Sequence, residues 1–418
     1  MDEILLSFWW LPVLVAIIII ARGWWLVSKI SEYINSLEWV LLEIRIPKDN
    51  LKSVKSMEQV FASLHGTYSQ GIKRRERWFQ GKVEDWLSLE IAGFSHGIHF
   101  YIRTPKKYRK LVEAAFFSQY PDAEIEEADD YTSLLPSDLP NEDFDIWGTD
   151  YVLAKDNAYP IRTYPNFEQI LQFEEMSIDP LATVTEVISN LKNNELIWLQ
   201  LIVRPIGPEW IGRAKGVVDE LAGKKKGGKG ITESTTEFAR NLIKAPVILP
   251  EWSEGAAPSA PDRLTPGKQD TVKAVEGKMS KLAFDAVLRF IYIDKKDEFS
   301  GENVTAVAGA INQFAAMNLN AFKPNMKTIT IPSKVSIFFN RKKNLLRRKK
   351  LLYESYLHRD IAQPRPFRHR LKLKTAILNA EEAATVYHPP LAMVTAAKLR
   401  VLETRKGEPP VNLPLVEE

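Results

Sequence analysis

Cysteine is absent from this 418-residue chain, and histidine occurs only six times. The absence of cysteine excludes disulfides, thiolate metal sites, iron–sulfur clusters and cysteine nucleophiles. Six histidines leave little material for a histidine-built metal centre. A hydrophobic fraction of 45% and a charged fraction of 26% are ordinary for globular proteins, so wholesale disorder and a polytopic membrane protein are excluded as well. The net charge of +3 implies no partner by itself.

Sequence patterns for nucleotide and metal binding are also missing. A P-loop requires Ser or Thr after its final Gly-Lys pair, whereas the run at 223–230 ends in Lys229-Gly230 and follows no predicted strand. His96 and His99 are three residues apart, but no nearby carboxylate completes a metal site. We therefore expect ordinary surface or turn histidines, no cofactor and no catalytic activity. An enzyme of unrecognised type has only the size of the chain in its favour.

What the chain does contain is one long apolar run near its N-terminus. Residues 11–21 are apolar without a break, and tryptophans flank this run on both sides, at Trp9, Trp10, Trp24 and Trp25. These features predict a bilayer-spanning segment at 4–27 with an aromatic belt at each end. A cleaved signal peptide is the alternative, but Asp2 and Glu3 stand where a basic region is required and no small-residue cleavage site follows.

The charges around this segment predict its orientation. Only acids precede the apolar run, whereas Arg22 and Lys29 follow it. Since basic residues are retained on the cytoplasmic side, the bulk of the chain is expected in the cytoplasm. The sequence thus predicts a single-pass protein of the cell membrane with its anchor at 1–28.

The remaining sequence predicts an α+β fold with two related modules. Alternating strand patterns and helical stripes at 38–130 follow the order β-α-β-β-α-β, which is the ferredoxin-like arrangement. A similar order recurs at 151–332, where the strands at 196–204 and 284–293 are expected to be hairpin partners. A long insertion at 205–281 separates these two strands. Its composition predicts that most of it is flexible, with short helices at 209–222 and 235–243.

Two segments of opposite charge follow the first module. Residues 122–145 contain ten acids and no base, and we predict an acidic linker at 131–150. Residues 334–374 contain fourteen Lys and Arg against two acids, a local charge of +12. This basic segment opens the last predicted part of the chain, a basic helix and C-terminal segment at 333–418, which includes a predicted strand at 336–339. Further on, Asn379 followed three residues later by Glu382 predicts a capping box at the start of a helix.

The basic segment carries the strongest binding signal outside the membrane anchor. Seven cations fall within ten residues, namely Arg341, Lys342, Lys343, Arg347, Arg348, Lys349 and Lys350. Leucines alternate with them, so the pattern predicts an amphipathic helix at 340–358. Anionic lipid, nucleic-acid phosphate and an acidic protein surface all fit such a helix. A merely solvated helix fits as well.

Several segments resemble one family of bacterial proteins. In the first module they are 41–47 (LLEIRIP), 57–66 (MEQVFASLHG), 88–91 (SLEI), 98–105 (IHFYIRTP) and 119–125 (QYPDAEI); near the C-terminus they are 378–384 (LNAEEAA) and 406–414 (KGEPPVNLP). They resemble the N-terminal, membrane-anchored region of VirB4/TraC-like and HerA/FtsK-like conjugation-type ATPases of type IV secretion. That region is itself of unknown function.

The resemblance implies a non-enzymatic platform that docks a P-loop ATPase, or other secretion or DNA-transfer components, at the membrane. In the family a RecA-like motor follows this region, whereas this sequence ends at Glu418. We therefore expect the motor on a separate chain, or a split gene. The segment next to the motor would supply Asn379, Glu381, Glu382 and His388 for docking. A membrane-tethered nucleic-acid-binding protein is the alternative, and an oligomeric assembly stays open.

Overall fold

The computed structural model describes residues 10–47, 52–171, 174–177, 179–222, 265–332, 341–361 and 373–390. The helices are α1 (Trp10–Ser36), α2 (Val54–Leu64), α3 (Arg109–Gln119), α4 (Ala182–Ser189), α5 (Ile211–Leu221), α6 (Pro266–Met279), α7 (Gly301–Asn312), α8 (Arg341–Leu357) and α9 (Ala380–Val386). The strands are β1 (Trp39–Arg45), β2 (Leu87–Phe94), β3 (Gly97–Pro105), β4 (Glu124–Glu127), β5 (Phe144–Leu153), β6 (Glu168–Leu171), β7 (Glu174–Ser177), β8 (Leu196–Ile206), β9 (Ala283–Lys295), β10 (Phe322–Pro324) and β11 (Ala376–Asn379).

The fold is a mixed α/β structure built on one antiparallel sheet, with β6 and β7 forming a separate hairpin. The strand order is β10-β5-β9-β8-β2-β3-β1-β4, and β11 pairs with the part of β9 that β5 does not reach. The segments 39–127 and 144–324 contribute four neighbouring strands each. They join where β2 pairs with β8, from Leu87↔Val203 to Gly93↔Ile197. The predicted pairing of β8 with β9 is confirmed over eleven residue pairs.

The central strands are buried on both faces because their side chains alternate between two different layers of packing. In β8, Leu199 and Leu201 face one layer of helices, whereas Trp198 faces the opposite side of the sheet. The helical layer consists of α2, α3, α4, α7 and α9, which bury Phe61, Phe116, Ile188, Ile311 and Ala384 respectively.

The second face is covered by α8 and by the last turns of α1. Tyr353 and Tyr356 of α8 pack with Trp198, while Ile30 and Ile34 of α1 pack with Trp86. A sheet with both faces covered has a near-continuous run of buried residues along its strands, as β2 does. The described sheet therefore leaves its central strands no open face for a partner.

Helix α1 extends beyond the predicted span. Its segment Val13–Ser36 is long and apolar enough to cross a membrane. The sequence placed the end of the anchor near residue 28, but the helix continues to Ser36. The extension is stabilised because Ile30 and Ile34, one turn apart, are both buried against the domain.

The structure corrects the predicted boundary between the acidic linker and the strand that follows it. Strand β5 begins at Phe144, whereas the sequence predicted an acidic linker through 150 and a strand only from 151. The acids are accommodated in the strand because Asp145 and Asp150 pair with Lys349 and Arg289. Such partners, distant in sequence, are invisible to a local pattern.

The insertion is ordered at both of its ends. Helix α5 lies within the predicted helix at 209–222, and α6 occupies a part of the insertion that was predicted to be flexible. The two helices pack together around the buried side chains of Ala214 and Val275. The predicted helix at 235–243 and a predicted strand at 336–339 lie outside the described residues.

Candidate functional site

The seven predicted cations of α8 fall into two groups. Four are exposed at the surface: Lys342, Lys343, Arg347 and Lys350. Arg341, Arg348 and Lys349 are half-buried. Arg348 donates to the carbonyl oxygen of Ile329 over 2.8 Å, and Lys349 Nζ lies 2.6 Å from the Asp145 carboxylate. The structure thus turns the first group toward solvent, while Arg348 attaches the helix to the segment after β10 and Lys349 attaches it to β5.

The C-terminal half of α8 is buried and ends in an unusual cap. The amide of Asp360 donates to the carbonyl of Ser355, and the amide of Arg359 donates to that of Tyr356, both over 2.9 Å. This pattern is a Schellman cap, which places the residue after the helix in the left-handed region and so favours glycine. Here that residue is Arg359, with φ of +49°. The left-handed conformation is strained for arginine, so favourable contacts of the Arg359 side chain must compensate for the strain.

A row of polar side chains crosses four neighbouring strands beneath the end of α8. Gln200 Nε2 donates to Glu90 over 3.0 Å, Arg289 donates to Gln200 Oε1 over 2.9 Å, and Arg289 Nε lies 2.7 Å from Asp150. All four side chains are fully buried. Gln200 and Arg289 also donate to the carbonyls of Tyr356 and Ser355, over 3.2 and 2.6 Å. The row therefore gives a second hydrogen bond to each of the two carbonyls that the Schellman cap also engages.

Arg359 closes this network from the helix side. Its Nε and one terminal nitrogen lie 2.9 and 3.1 Å from the two Glu90 oxygens, and its terminal nitrogens reach both Asp130 oxygens at 2.6 and 2.9 Å. Tyr131 donates to Glu90 as well, over 2.7 Å. Burial alone would raise the pKa of Glu90 and of Asp130, but the Arg359 guanidinium outweighs burial and lowers both pKa values. We call Glu90, Gln200, Arg289, Asp150 and Arg359 the polar row.

The C-terminal segment is held by a second buried ion pair. The predicted capping box is confirmed: Asn379 Oδ1 accepts from the Glu382 amide and Glu382 accepts from the Asn379 amide, each over 2.9 Å. Lys278 of α6 lies 3.0 Å from the same Glu382 carboxylate, and neither side chain is exposed. Lys278 also donates to the carbonyl oxygen of Ile377 over 2.7 Å. The pair fastens β11 and α9 to α6.

The other two predicted docking residues also have partners inside the fold. His388 is fully buried and lies 3.0 Å from the Asp179 carboxylate. Glu381 pairs with Lys281, which also reaches Glu58 at 2.7 Å. Because Asn379, Glu382 and His388 are buried, their side chains are not available to a docking partner in this structure. We correct the predicted docking role of these three residues to a structural one.

No local sequence pattern predicted that the residues of the polar row would meet. Three of its four strand residues, Glu90, Gln200 and Arg289, are single polar side chains between apolar neighbours, as Gln200 is between Leu199 and Leu201. A lone polar residue in an otherwise buried strand is a usable signal, because such a group requires a buried partner. Which four residues meet depends on strand order and register, which the pattern does not contain.

Among the described residues, a cavity and a hydrolase-like sequence motif bear on catalysis. A cavity of about 20 Å³ beneath the helices is lined by aliphatic and aromatic side chains, with Tyr387 the only one that carries a polar group. Residues 93–97 match the G-x-S-x-G pattern of hydrolases, but Ser95 and His96 form the two-residue turn between β2 and β3. A nucleophile elbow requires a strand-to-helix turn instead. Within the described part of the chain, no three His, Asp or Glu side chains are grouped to hold a metal ion.

His99 is a buried strand residue and not the turn or surface histidine that the sequence suggested. Its Nδ1 lies 2.7 Å from the Glu43 carboxylate, and Arg45 lies 2.6 Å from the same group. Burial alone would raise the pKa of Glu43, but hydrogen bonds from His99 and Arg45 prevail and lower its pKa to about 2 from an ordinary 4.5. Glu43 therefore stabilises the fold in its charged form.

This lowered pKa predicts a loss of stability in acid. The contribution of Glu43 is present above about pH 4.5 and disappears as the pH falls toward 2, since a proton then binds the unfolded chain first. We expect the free energy of unfolding to fall by roughly 3 kcal/mol more in the wild type than in Glu43→Gln between pH 6 and pH 2. Urea unfolding of the detergent-solubilised chain across this range measures the difference. Asp138→Asn, at an exposed carboxylate, should behave as the wild type; equal pH profiles for all three proteins would contradict the prediction.

A comparison with known families places the chain. No curated protein matches it. The model of a family described as a domain of unknown function, DUF8128, matches residues 29–345. The match begins inside α1 and runs to the first turn of α8, so it takes in the antiparallel sheet except β11. This chain therefore belongs to the DUF8128 family.

Proposed function

We propose that this protein is a non-catalytic platform, anchored in the cell membrane, that docks a P-loop ATPase or another component of a type IV secretion-like apparatus at the cytoplasmic face. The observation that carries the proposal is the continuity of α1 with the sheet. Ile30 and Ile34 are 0% and 7% exposed and lie in one cluster with Trp86 and Ile202 of the sheet. A helix whose last turns belong to the core holds its domain in a fixed pose at the membrane.

The sheet itself is suited to such a role. We interpret its two halves as ferredoxin-like modules, since each half has the strand order of that arrangement: β4-β1-β3-β2 in the first and β10-β5-β9-β8 in the second. The pairing of β2 with β8 joins them into one continuous sheet. A continuous sheet transmits force between its ends without a hinge, which a platform for a motor requires.

The surface that we assign to the partner is the exposed face of α8, formed by Lys342, Lys343, Arg347 and Lys350. None of these four cations pairs with a carboxylate within the described part of the chain. The helix beneath them is fixed by the polar row and by Lys349, so the cations are presented on a rigid element. A preorganised basic face favours an acidic protein surface, because little conformational entropy is lost on binding.

The titratable groups support a structural role for the remaining charges. Arg289, Arg359 and Lys278 are fully buried and are paired with Asp150, Glu90 and Glu382. Buried ion pairs of this kind fix one arrangement of the chain and give a substrate no access. We therefore place function on the surface of the protein and not in an internal site.

Affinity capture from gently solubilised native membranes tests the proposal. We expect the intact protein to recover a P-loop ATPase, identified by mass spectrometry. Reversing the exposed charges should lower that recovery at least about tenfold, since each exposed pair contributes roughly 0.5 kcal/mol. The variant is Lys342→Glu, Lys343→Glu, Arg347→Glu and Lys350→Glu combined.

A matched control carries the same change in net charge at exposed lysines elsewhere: Lys55→Glu, Lys110→Glu, Lys192→Glu and Lys327→Glu. This control should recover the ATPase as the wild type does. Recovery of no ATPase, together with nucleic acid in the eluate, would favour the alternative of a membrane-tethered nucleic-acid-binding protein. That alternative predicts a steep loss of DNA affinity with salt, which the α8 variant would flatten.

A further inference from the structure

A basic turn lies against α1 just beyond the end of its apolar run. Residues 74–80 form a short helical turn, in which Glu76–Gln80 have π-helical hydrogen bonding. Trp25 Nε1 donates to the carbonyl oxygen of Trp78 over 3.3 Å, and the Arg22 guanidinium lies 5.0 Å from the centre of the Trp78 ring. We call residues 73–82 the juxtamembrane turn.

The position of this turn along α1 is fixed by a backbone contact. Gly81 has φ of +67°, and a Cβ atom there would lie 2.0 Å from the carbonyl oxygen of Lys29. Glycine is therefore required twice, for its conformation and for the closeness of the two backbones. The turn is held at the level of Arg22 to Lys29, where the first charges follow the apolar run at 11–21.

The juxtamembrane turn presents cations and an aromatic ring to the outside. Lys73, Arg74, Arg75 and Arg77 are exposed, and none of them pairs with a carboxylate within the described residues. The single acid of the turn, Glu76, lies 3.8 Å from Lys82. Phe79 is 61% exposed in their midst. This local charge is uncompensated by the protein.

We propose that the juxtamembrane turn binds the headgroups of anionic phospholipids in the leaflet that α1 enters. The inference rests on the membrane anchoring contained in the proposed function. Arginine forks match phosphate oxygens, and each Lys or Arg beside an anionic leaflet strengthens association about fivefold. Phe79 follows Trp78, whose carbonyl oxygen contacts Trp25 of α1, and Phe79, Trp24 and Trp25 are all exposed. Aromatic side chains favour the membrane interface.

The location decides between this ligand and a nucleic acid. The turn is in backbone contact with a helix of membrane-spanning length, at the point where that helix leaves its apolar run. Phosphates at this depth belong to lipid headgroups. These four cations and Arg22 and Lys29 all follow the apolar run, so they also favour a cytoplasmic location for the part of the chain after α1.

Lipid selectivity of the full-length protein in proteoliposomes tests this proposal. Spin-labelled phosphatidylglycerol and phosphatidylcholine report which lipid is motionally restricted at the protein surface. We expect the wild type to prefer phosphatidylglycerol by at least about fivefold. The combined variant Lys73→Gln, Arg74→Gln, Arg75→Gln and Arg77→Gln should lower that preference to near one. Phe79→Ser should weaken it less.

Two further proteins control for effects on folding and on total charge. Lys55→Gln, Lys110→Gln, Lys192→Gln and Lys327→Gln combined should keep the wild-type preference. Lys73→Arg, Arg74→Lys, Arg75→Lys and Arg77→Lys combined should keep most of it, since the charges remain. A quadruple glutamine variant that folds and keeps the full preference would overturn the proposal, as would a wild type without preference.

Further measurements distinguish lipid headgroups from free phosphate, and this proposal from the platform proposal. Inorganic phosphate should lower the preference for phosphatidylglycerol no more than chloride does at equal ionic strength. A larger effect of phosphate would show a site for free phosphate and overturn the lipid assignment. Loss of lipid preference with ATPase capture intact would leave the platform proposal standing. Extraction of the wild type from vesicles by alkaline carbonate would overturn both the anchor and the juxtamembrane site.

Discussion

Replacing Arg359 with methionine is expected to lower the free energy of unfolding by about 3–5 kcal/mol, because Glu90 would remain buried without its cation. Methionine fills a similar volume, so the loss is not one of packing. Arg359 makes four contacts of 2.6–3.1 Å with the carboxylates of Glu90 and Asp130. Urea unfolding of the detergent-solubilised chain, followed by tryptophan fluorescence, measures the loss.

Two variants identify the cause of this effect. Arg359→Lys should recover only part of the stability, since an ammonium group cannot bridge two carboxylates as the guanidinium fork does. Glu90→Gln combined with Arg359→Met should be more stable than Arg359→Met alone, because the unpaired charge is gone. Arg347→Met, at an exposed position of the same helix, should change stability by less than about 0.5 kcal/mol. A loss below about 1 kcal/mol for Arg359→Met would contradict the assigned role.

The conformation of Arg359 gives a further comparison. Glycine at this position would relieve the strain of the left-handed backbone, which costs of order 1 kcal/mol, but it would remove the same charge. The relief of strain should therefore offset part of the stability that Arg359→Gly loses with the ion pairs to Glu90 and Asp130. Because Arg359 belongs to the polar row that holds α8, Arg359→Met and Arg359→Gly should also lower the capture of a partner by the exposed face of that helix.

Replacing Lys278 with methionine is expected to cost a similar 3–5 kcal/mol, since Glu382 would be left as a buried carboxylate without a cation. Lys278 and Glu382 are both fully buried and 3.0 Å apart. Burial lowers the pKa of Lys278, and the attraction of Glu382 opposes that shift. The pKa of Lys278 stays below its ordinary value, and Glu382 is the paired carboxylate that limits the shift, so each partner depends on the other.

The loss should be concentrated in the C-terminal segment. Hydrogen exchange of the amides in β11 and α9 should quicken in Lys278→Met before the rest of the sheet is affected, since this pair fastens that segment to α6. Lys281→Met is the matched control: its partners Glu58 and Glu381 are partly exposed, so the change should cost about 1 kcal/mol or less. Uniform exchange rates across the sheet in both variants would contradict this assignment.

Local sequence patterns predicted most of the elements of this fold. The hydrophobic alternation of β1, β2, β3, β8 and β9, and the helical stripes of α2, α3, α4 and α7, gave positions within a few residues of those observed. The capping box at Asn379 and the basic helix α8 followed from spacing alone. These features depend on neighbours within one or two turns, and such neighbours are contained in the sequence order.

The sequence by itself determined an apolar N-terminal helix long enough to cross a membrane, the succession of strands and helices, and the unequal distribution of charge. Only the tertiary structure decided that α1 continues into the core, that α8 covers the second face of the sheet, and that α8 separates its cations into four exposed and three engaged. It also brought acids and bases from distant segments together, as Asp130 with Arg359 and Asp145 with Lys349. The reason is physical: a buried charge is stable only beside its partner, and that partner is fixed by strand order and register, which no local pattern encodes.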